Sequence, residues 1–203
     1  MCNIKFREEP IPKHRENRPV CEKYSSYLGT LKIDFNKRCG YCNDVHSYRI
    51  RSFAIDHFVP RNPRGFTHPI LPNVYNNLVY SCNYCNSAKS NKFPTKNHLI
   101  HNDGQIGFVM PTDKSYDDLF CRDSDGTIQS KDNNALANHI IEELNLKNPI
   151  HSLMWRLEKL VKLTDIVTQK ITETSNQELI TIQNELYAEY YKITRSIFKN
   201  NDK

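Results

Sequence analysis

Four of the seven cysteines in this 203-residue chain form two Cys-x-x-Cys pairs, Cys39/Cys42 and Cys82/Cys85. Each pair can chelate through a tight turn, and four thiolates suit a tetrahedral Zn²⁺. The 39 residues between Cys42 and Cys82 exceed the usual ribbon spacing, so a further element must be inserted between the two knuckles. Within that insert runs Ala54-Ile55-Asp56-His57-Phe58-Val59-Pro60-Arg61, where an apolar strand sets a carboxylate beside an imidazole. The second pair is preceded by Asn77-Leu78 and leads into Asn86 and Lys89, one helical turn apart. On spacing alone, Asp56-His57 also reads as a satisfied polar pair in a core. A hydrolytic site and a zinc module that only orders a binding surface are therefore both open at this point.

The elements that must hold these residues can be read from periodicity and punctuation. Residues 1–18 mix charges with Pro10 and Pro12 and read as an irregular arm over the domain or along a substrate. Tyr24, Tyr27, Leu28 and Leu31 recur at helical spacing and predict a short helix within 21–33. A zinc knuckle leads into a strand, Ser52–Phe58, that closes at Pro60, and a loop rich in Pro, Asn and Gly covers 61–76. A second strand, Leu78–Tyr80, precedes Cys82, and a helix is expected from about Cys85 to Lys92. Ile106–Met110 and Thr127–Gln129 are strand candidates separated by Asp/Gly turns. Asn148-Pro149 is an N-cap with proline at the first helical position. It opens a helix with apolar residues from Ile150 to Ile171, and Ser175 with Glu178 reads as the capping box of a second helix. That second helix carries one stripe through Leu179, Ile182, Leu186, Tyr190, Ile193 and Ile197 and another through Ile180, Tyr187, Tyr191 and Phe198. The two helices can bury the first stripe between them, and the second requires another surface: the protein's own core, a partner or a second copy.

Over residues 37–92 the chain resembles the HNH endonuclease family. The matching words are CGYC, AIDHFVPR and NLVYSCNYCNSAKSNK. A looser likeness to small stand-alone bacterial HNH proteins, some of them anti-phage effectors, runs through GFVMPTDKSYDDLF, DGTI and the helical tail. The resemblance implies an α+β fold: a ββα-metal HNH core stapled by a four-cysteine zinc site, with a helical C-terminal extension. The organisation it implies is an arm and short helix over 1–34, a nuclease core over 35–105, and a small strand region with C-terminal helices over 106–203. It implies hydrolysis of DNA phosphodiesters, with His57 as general base and Asp56 and Asn86 holding one Mg²⁺ or Mn²⁺. Cys39, Cys42, Cys82 and Cys85 take the structural Zn²⁺. Asn77 orients the His57 segment; Asn73 and Asn76 lie nearby, but the position five before Cys82 favours Asn77. Lys89 and Arg61 are the expected phosphate contacts. The third letter of the motif is asparagine rather than histidine, which points to Mg²⁺ over a softer metal.

Charge agrees with a polyanionic substrate. Residues 1–100 carry 16 Lys/Arg against 7 Asp/Glu, a net of +9, while residues 101–203 carry 12 against 16, a net of −4. Both cysteine pairs thus lie in a basic field that attracts nucleic acid, and the bland reading is a solvated basic surface. Hydrophobic residues at 38% and charged residues at 25% exclude wholesale disorder. No run approaches the roughly 18–20 apolar residues of a membrane span, and the first twenty residues hold no apolar core of a secretory signal. The expectation is a cytoplasmic protein without membrane contact. Reduced thiols in that compartment favour metal over disulfide for the paired cysteines, and Cys2, Cys21 and Cys121 read as lone thiols. His98 and His101 read as surface histidines. Partner readings are DNA, a homodimer, or an ATPase or sensor docked on the C-terminal helices. The alternatives to a nuclease are a non-catalytic zinc-finger binding module and a nuclease subunit silent until an ATPase activates it.

Overall fold

Short elements in the first part of the chain give way to two long helices. In order they are β1 (Ile4–Lys5), α1 (Leu28–Asp34), β2 (Ala54–His57), β3 (Leu78–Ser81), α2 (Asn83–Lys89), α3 (Lys114–Asp118), β4 (Phe120–Arg122), β5 (Ile128–Ser130), α4 (Ala135–Glu143), α5 (Pro149–Thr174) and α6 (Gln177–Asn201). They are seen in a computed structural model that describes residues 4–48 and 53–201. It divides into two units, one up to Lys147 and one from Asn148 onward. The architecture is mixed helix and sheet, as expected. No helix among the described residues is long and apolar enough to cross a membrane.

Within the first unit, β2 and β3 pair antiparallel with Ala54 opposite Ser81 and His57 opposite Leu78. A second antiparallel sheet runs in the order β1-β4-β5. One hydrophobic core includes both knuckles together with Phe58, Leu78, Val79, Phe108, Ile128 and Ile140. The aromatic cluster of Phe6, Tyr116 and Phe120, with centroids 5.0 to 6.1 Å apart, ties the second sheet to α3.

Several expected elements need correction. The helix in 21–33 is a 3₁₀ turn over Tyr24–Tyr27 that runs into α1. The expected strand Ser52–Phe58 is the shorter β2, with Ser52 outside the described residues. The helix expected from Cys85 begins at Asn83 and stops at Ser90, whose φ of +49° breaks the helical path. Residues 106–110 form no strand. Asp103 there accepts from the amides of Gln105 and Ile106, and Gly107 adopts φ +113° because a Cβ would sit 2.3 Å from the His101 carbonyl oxygen. Cys121 is disulfide-bonded rather than a lone thiol; Cys21 is free, and Cys2 lies outside the described residues.

The second unit is an antiparallel pair, α5 and α6, bridged by Arg156 to Glu189 at 2.7 Å and Gln183 to Thr168 at 2.7 Å. Asn148 caps α5 as expected, its Oδ1 accepting from the Ile150 amide at 3.0 Å. The turn between the helices differs from the expected capping box. Ser175 closes α5 in the left-handed region (φ +52°), and Asn176 Oδ1 accepts from the Glu178 amide at 2.8 Å. Ile193 and Ile197 of the first stripe are buried, whereas Tyr187, Tyr191 and Phe198 of the second are exposed.

Candidate active site

Zinc geometry comes first, because it fixes everything near it. Cys39 and Cys42 sit in the turn after α1; Cys82 caps α2 and Cys85 lies in its first turn. All four are buried, and their sulfurs lie within 4.8 Å of one another. Cys42 Sγ and Cys82 Sγ are 3.7 Å apart, close to the edge of roughly 3.8 Å that a tetrahedron with Zn–S bonds of about 2.3 Å requires. The four-cysteine site therefore fits a zinc ion. Gly40 is required inside the first knuckle, since a Cβ there would meet Phe35 and Val79 at 2.8 Å.

Three distant side chains hold that knuckle in shape. Arg7 donates to the Gly40 carbonyl at 3.1 Å, Tyr116 to the Tyr41 carbonyl at 2.8 Å, and Arg122 to the Cys42 carbonyl at 2.7 Å. Consecutive carbonyls turned away from the ladder are thus satisfied, as buried backbone groups must be. Sequence reasoning missed all three residues. Two of them are arginines that composition assigns to the surface, and nothing local marks them as buried.

Strand parity then separates Asp56 from His57, because successive side chains of a strand point to opposite faces. Asp56 turns inward. Its Oδ2 accepts from Tyr41 Oη and lies 3.0 Å from Lys89 Nζ, and its Oδ1 is 3.3 Å from the same ammonium. Lys89 reaches further, to the His57 carbonyl at 2.7 Å, and is fully buried. The ammonium expected at a substrate phosphate is taken up inside the fold. Burial pushes Asp56 upward, with Lys89 and Tyr41 opposing it, and pushes Lys89 downward against the pull of Asp56. The Tyr41 hydroxyl is held well above its ordinary value by burial and then by Asp56.

His57 lies on the other side. Its Nε2 is 2.8 Å from the Pro72 carbonyl oxygen, which can only accept, so Nε2 carries the proton and Nδ1 keeps a lone pair. Burial lowers its pKa below the ordinary imidazole value, although the Pro72 carbonyl works the other way. The Tyr24 ring meets it edge-on at 4.8 Å, and the Arg61 guanidinium lies over that tyrosine at 5.3 Å. Tyr24 thus joins the site, a neighbour the sequence showed only as part of a helical apolar set.

Asn77 secures the chain just past the histidine. Its Oδ1 accepts from the Val59 amide at 2.9 Å, its Nδ2 donates to the Val59 carbonyl at 3.0 Å, and its own carbonyl accepts from Phe58 at 2.8 Å. Neighbouring Asn73 instead donates to the Cys21 carbonyl at 2.9 Å. Asn77→Ala leaves both Val59 groups unmet in a segment that is 1% exposed. A loss of about 2 kcal/mol is expected, read as a lowered denaturant midpoint with an unchanged slope; a midpoint that does not move would show the clamp to be idle.

Asn86 is half-buried and lies one turn before Lys89, on the same side of α2. Its amide carries an oxygen donor of the hard kind that Mg²⁺ or Mn²⁺ prefers, whereas the Asp56 carboxylate is 4% exposed and engaged by Lys89 and Tyr41.

Comparison with known proteins bears on the same segment. Residues 39–92 match the family model for HNH endonuclease, so the resemblance read from the motifs holds over the segment carrying both knuckles, β2, β3 and α2. The chain is also similar to the Septu protein PtuB of Bacillus mycoides (strain KBAB4), 37% identical over 86 residues. That match covers 37% of this chain and 28% of the relative, so less than a third of the relative's length is spanned. No solved structure matches.

Proposed function

We propose that this protein is a metal-dependent endonuclease that hydrolyses DNA phosphodiester bonds with His57 as general base. The observation that carries this reading is the commitment of His57 Nε2 to the Pro72 carbonyl. It leaves Nδ1 as a lone pair of fixed direction on an imidazole whose pKa burial lowers. Nδ1 takes a proton from the water that attacks phosphorus, the P–O3′ bond breaks, and the 3′ oxygen leaves with a proton from solvent. Asp56 and Asn86 would hold one Mg²⁺ or Mn²⁺, which when bound supplies charge stabilisation for the phosphate and the leaving oxygen. Asn77 and Lys89 position the strand end that carries His57, and Arg61 faces substrate phosphate. The four cysteines with zinc are structural.

The resemblance to small bacterial HNH proteins supports a cytoplasmic defence effector. The exposed second stripe of α6 supports an ATPase, a sensor or a second copy as its docking partner. A second reading makes it a nuclease subunit that is silent until such a partner engages. A specific observation favours such silence: His57 is only 8% exposed, under Tyr24.

The test is supercoiled plasmid incubated with Mg²⁺ or Mn²⁺, alongside His57→Ala and an EDTA control. Nicking by the wild type is expected, reduced about 10²-fold or more in the variant and abolished in EDTA. Equal cutting by the variant removes His57 as the base. Binding without cutting by both favours the zinc-finger module or the silent subunit.

A further inference from the structure

A cavity of about 350 Å³ opens between the segment before α1 and the loop that precedes β3. Its walls include Glu22, Lys23, Tyr24, Leu71, Pro72 and Asn73. Two of these are the neighbours of His57 described above: Tyr24 meets the imidazole edge-on at 4.8 Å, and Pro72 accepts from Nε2. The cavity and the His57 imidazole therefore share two walls, Tyr24 and Pro72. The two walls are fastened to each other by the Asn73 side chain, which donates to the Cys21 carbonyl at 2.9 Å, so the space exists before a ligand arrives.

We infer that this cavity receives an unpaired nucleobase of the DNA strand being cut, next to the scissile phosphate. The inference rests on the nuclease reading and names the form of its substrate. Three features select a base over other ligands. An aromatic ring and two apolar faces, Tyr24, Leu71 and Pro72, offer a stacking surface, and Leu71 is 64% exposed. Glu22 and Lys23 bring opposite charges to the rim, which gives no net pull on a phosphate but can pair with the donor and acceptor edge of a base. The volume sits at the low end of ligand cavities, a size suited to one ring system rather than a folded segment. A base inside a duplex has both faces stacked and its edge paired, so only a single-stranded or extruded nucleotide can enter. Arg61, over the Tyr24 ring, is placed to meet the adjoining phosphate.

Fluorescence anisotropy with the full-length zinc-bound protein, in buffer without Mg²⁺ or Mn²⁺, tests this without any cleavage. The probes are a labelled single-stranded DNA of mixed sequence, the same strand as a fully abasic backbone, and the matching duplex. Wild type and Tyr24→Phe are expected to bind the base-bearing strand about 5- to 150-fold tighter than the abasic one, the range that stacking of one base gives. Tyr24→Ala, and Leu71→Ser at an exposed position that does not threaten folding, are expected to lose that difference, read as the ratio of base-bearing to abasic affinity within each variant. Equal binding of base-bearing and abasic strands by the wild type overturns the inference, as does preference for the duplex or an unchanged ratio in both variants. If plasmid cutting fails but the ratio holds, the catalytic reading fails and the pocket stands; if cutting succeeds and the ratio is absent, the pocket alone is wrong.

Discussion

Serine in place of Cys82 is expected to leave a protein that holds no zinc and shows no cooperative thermal transition. The hydroxyl of serine stays protonated where the thiol ionises, so the site loses a ligand and most of its affinity. Structural zinc in comparable four-ligand sites binds with an apparent free energy of about 10–16 kcal/mol. Domains of this size are stable by only about 5–15 kcal/mol in total. The loss cannot be absorbed locally, because Cys39, Cys42, Cys82 and Cys85 all belong to the one core that includes Phe58, Leu78 and Ile140. The same four residues join the turn after α1 to the start of α2, so both ends of the His57 segment come loose together. Metal analysis of the purified wild type should give one zinc per chain and of Cys82→Ser none, with circular dichroism following the melt. Prolonged exposure of the wild type to a strong chelator should reproduce the variant's melt. A Cys82→Ser protein that melts within a few degrees of the wild type would show that the core stands without the ion.

The second large effect is expected at Lys89. Methionine there removes the only cation within reach of Asp56 among the contacts described, and leaves a carboxylate that is 4% exposed with Tyr41 alone. Breaking a buried ion pair from one side costs about 3–5 kcal/mol, whereas replacing both partners with uncharged groups is often close to neutral. Lys89→Met should therefore lower the urea midpoint strongly. Lys89→Met with Asp56→Asn should recover much of the loss, giving a clear coupling in a double-mutant cycle. A second consequence is positional. The ammonium also holds the His57 carbonyl at 2.7 Å, so the single variant should cut more slowly per folded molecule even at low temperature. A single variant as stable as the wild type, with no coupling to Asp56, would show that the pair contributes nothing.

What the sequence made legible follows from how local each signal is. The cysteine pairs, the Asp-His strand end and the Asn148-Pro149 cap each lie within a few residues, and each has a stereochemical reason that needs no tertiary context. Asn77 was legible through its spacing to Cys82, and its amide does clamp the segment after His57. The burial of Lys89 was not legible, because lysine is ordinarily a surface residue and its partner lies 33 positions earlier. Arg122 reaches the knuckle carbonyl across 80 residues, and Tyr116 across 75; no periodicity encodes contacts of that range. Pro72 entered the sequence reading only as a loop marker. Its role depends on a carbonyl, which every residue possesses, so composition could not single it out. The missing strand at 106–110 failed for the opposite reason: its apolar pattern is real, but Gly107 is fitted to a backbone crossing that overrides it.

The long connection between β2 and β3 has its ends fixed by those paired strands, by Asn77 on Val59, and by the four-cysteine cluster beyond. Between Arg61 and Leu71 the chain is held more lightly, by the Arg64 amide on the Asn91 carbonyl and by His68 against the Pro60 carbonyl. Gly65 there turns with φ +86°. Loop-closure entropy grows only logarithmically, so doubling such a stretch costs about 0.6 kcal/mol. Extra residues can therefore be accepted around Gly65 while Pro72 keeps its place on the imidazole. In evolutionary terms, this architecture separates a part that must not change from a part that can be exchanged. Insertions in this arc can change the surface near His57 without moving the strand that carries it.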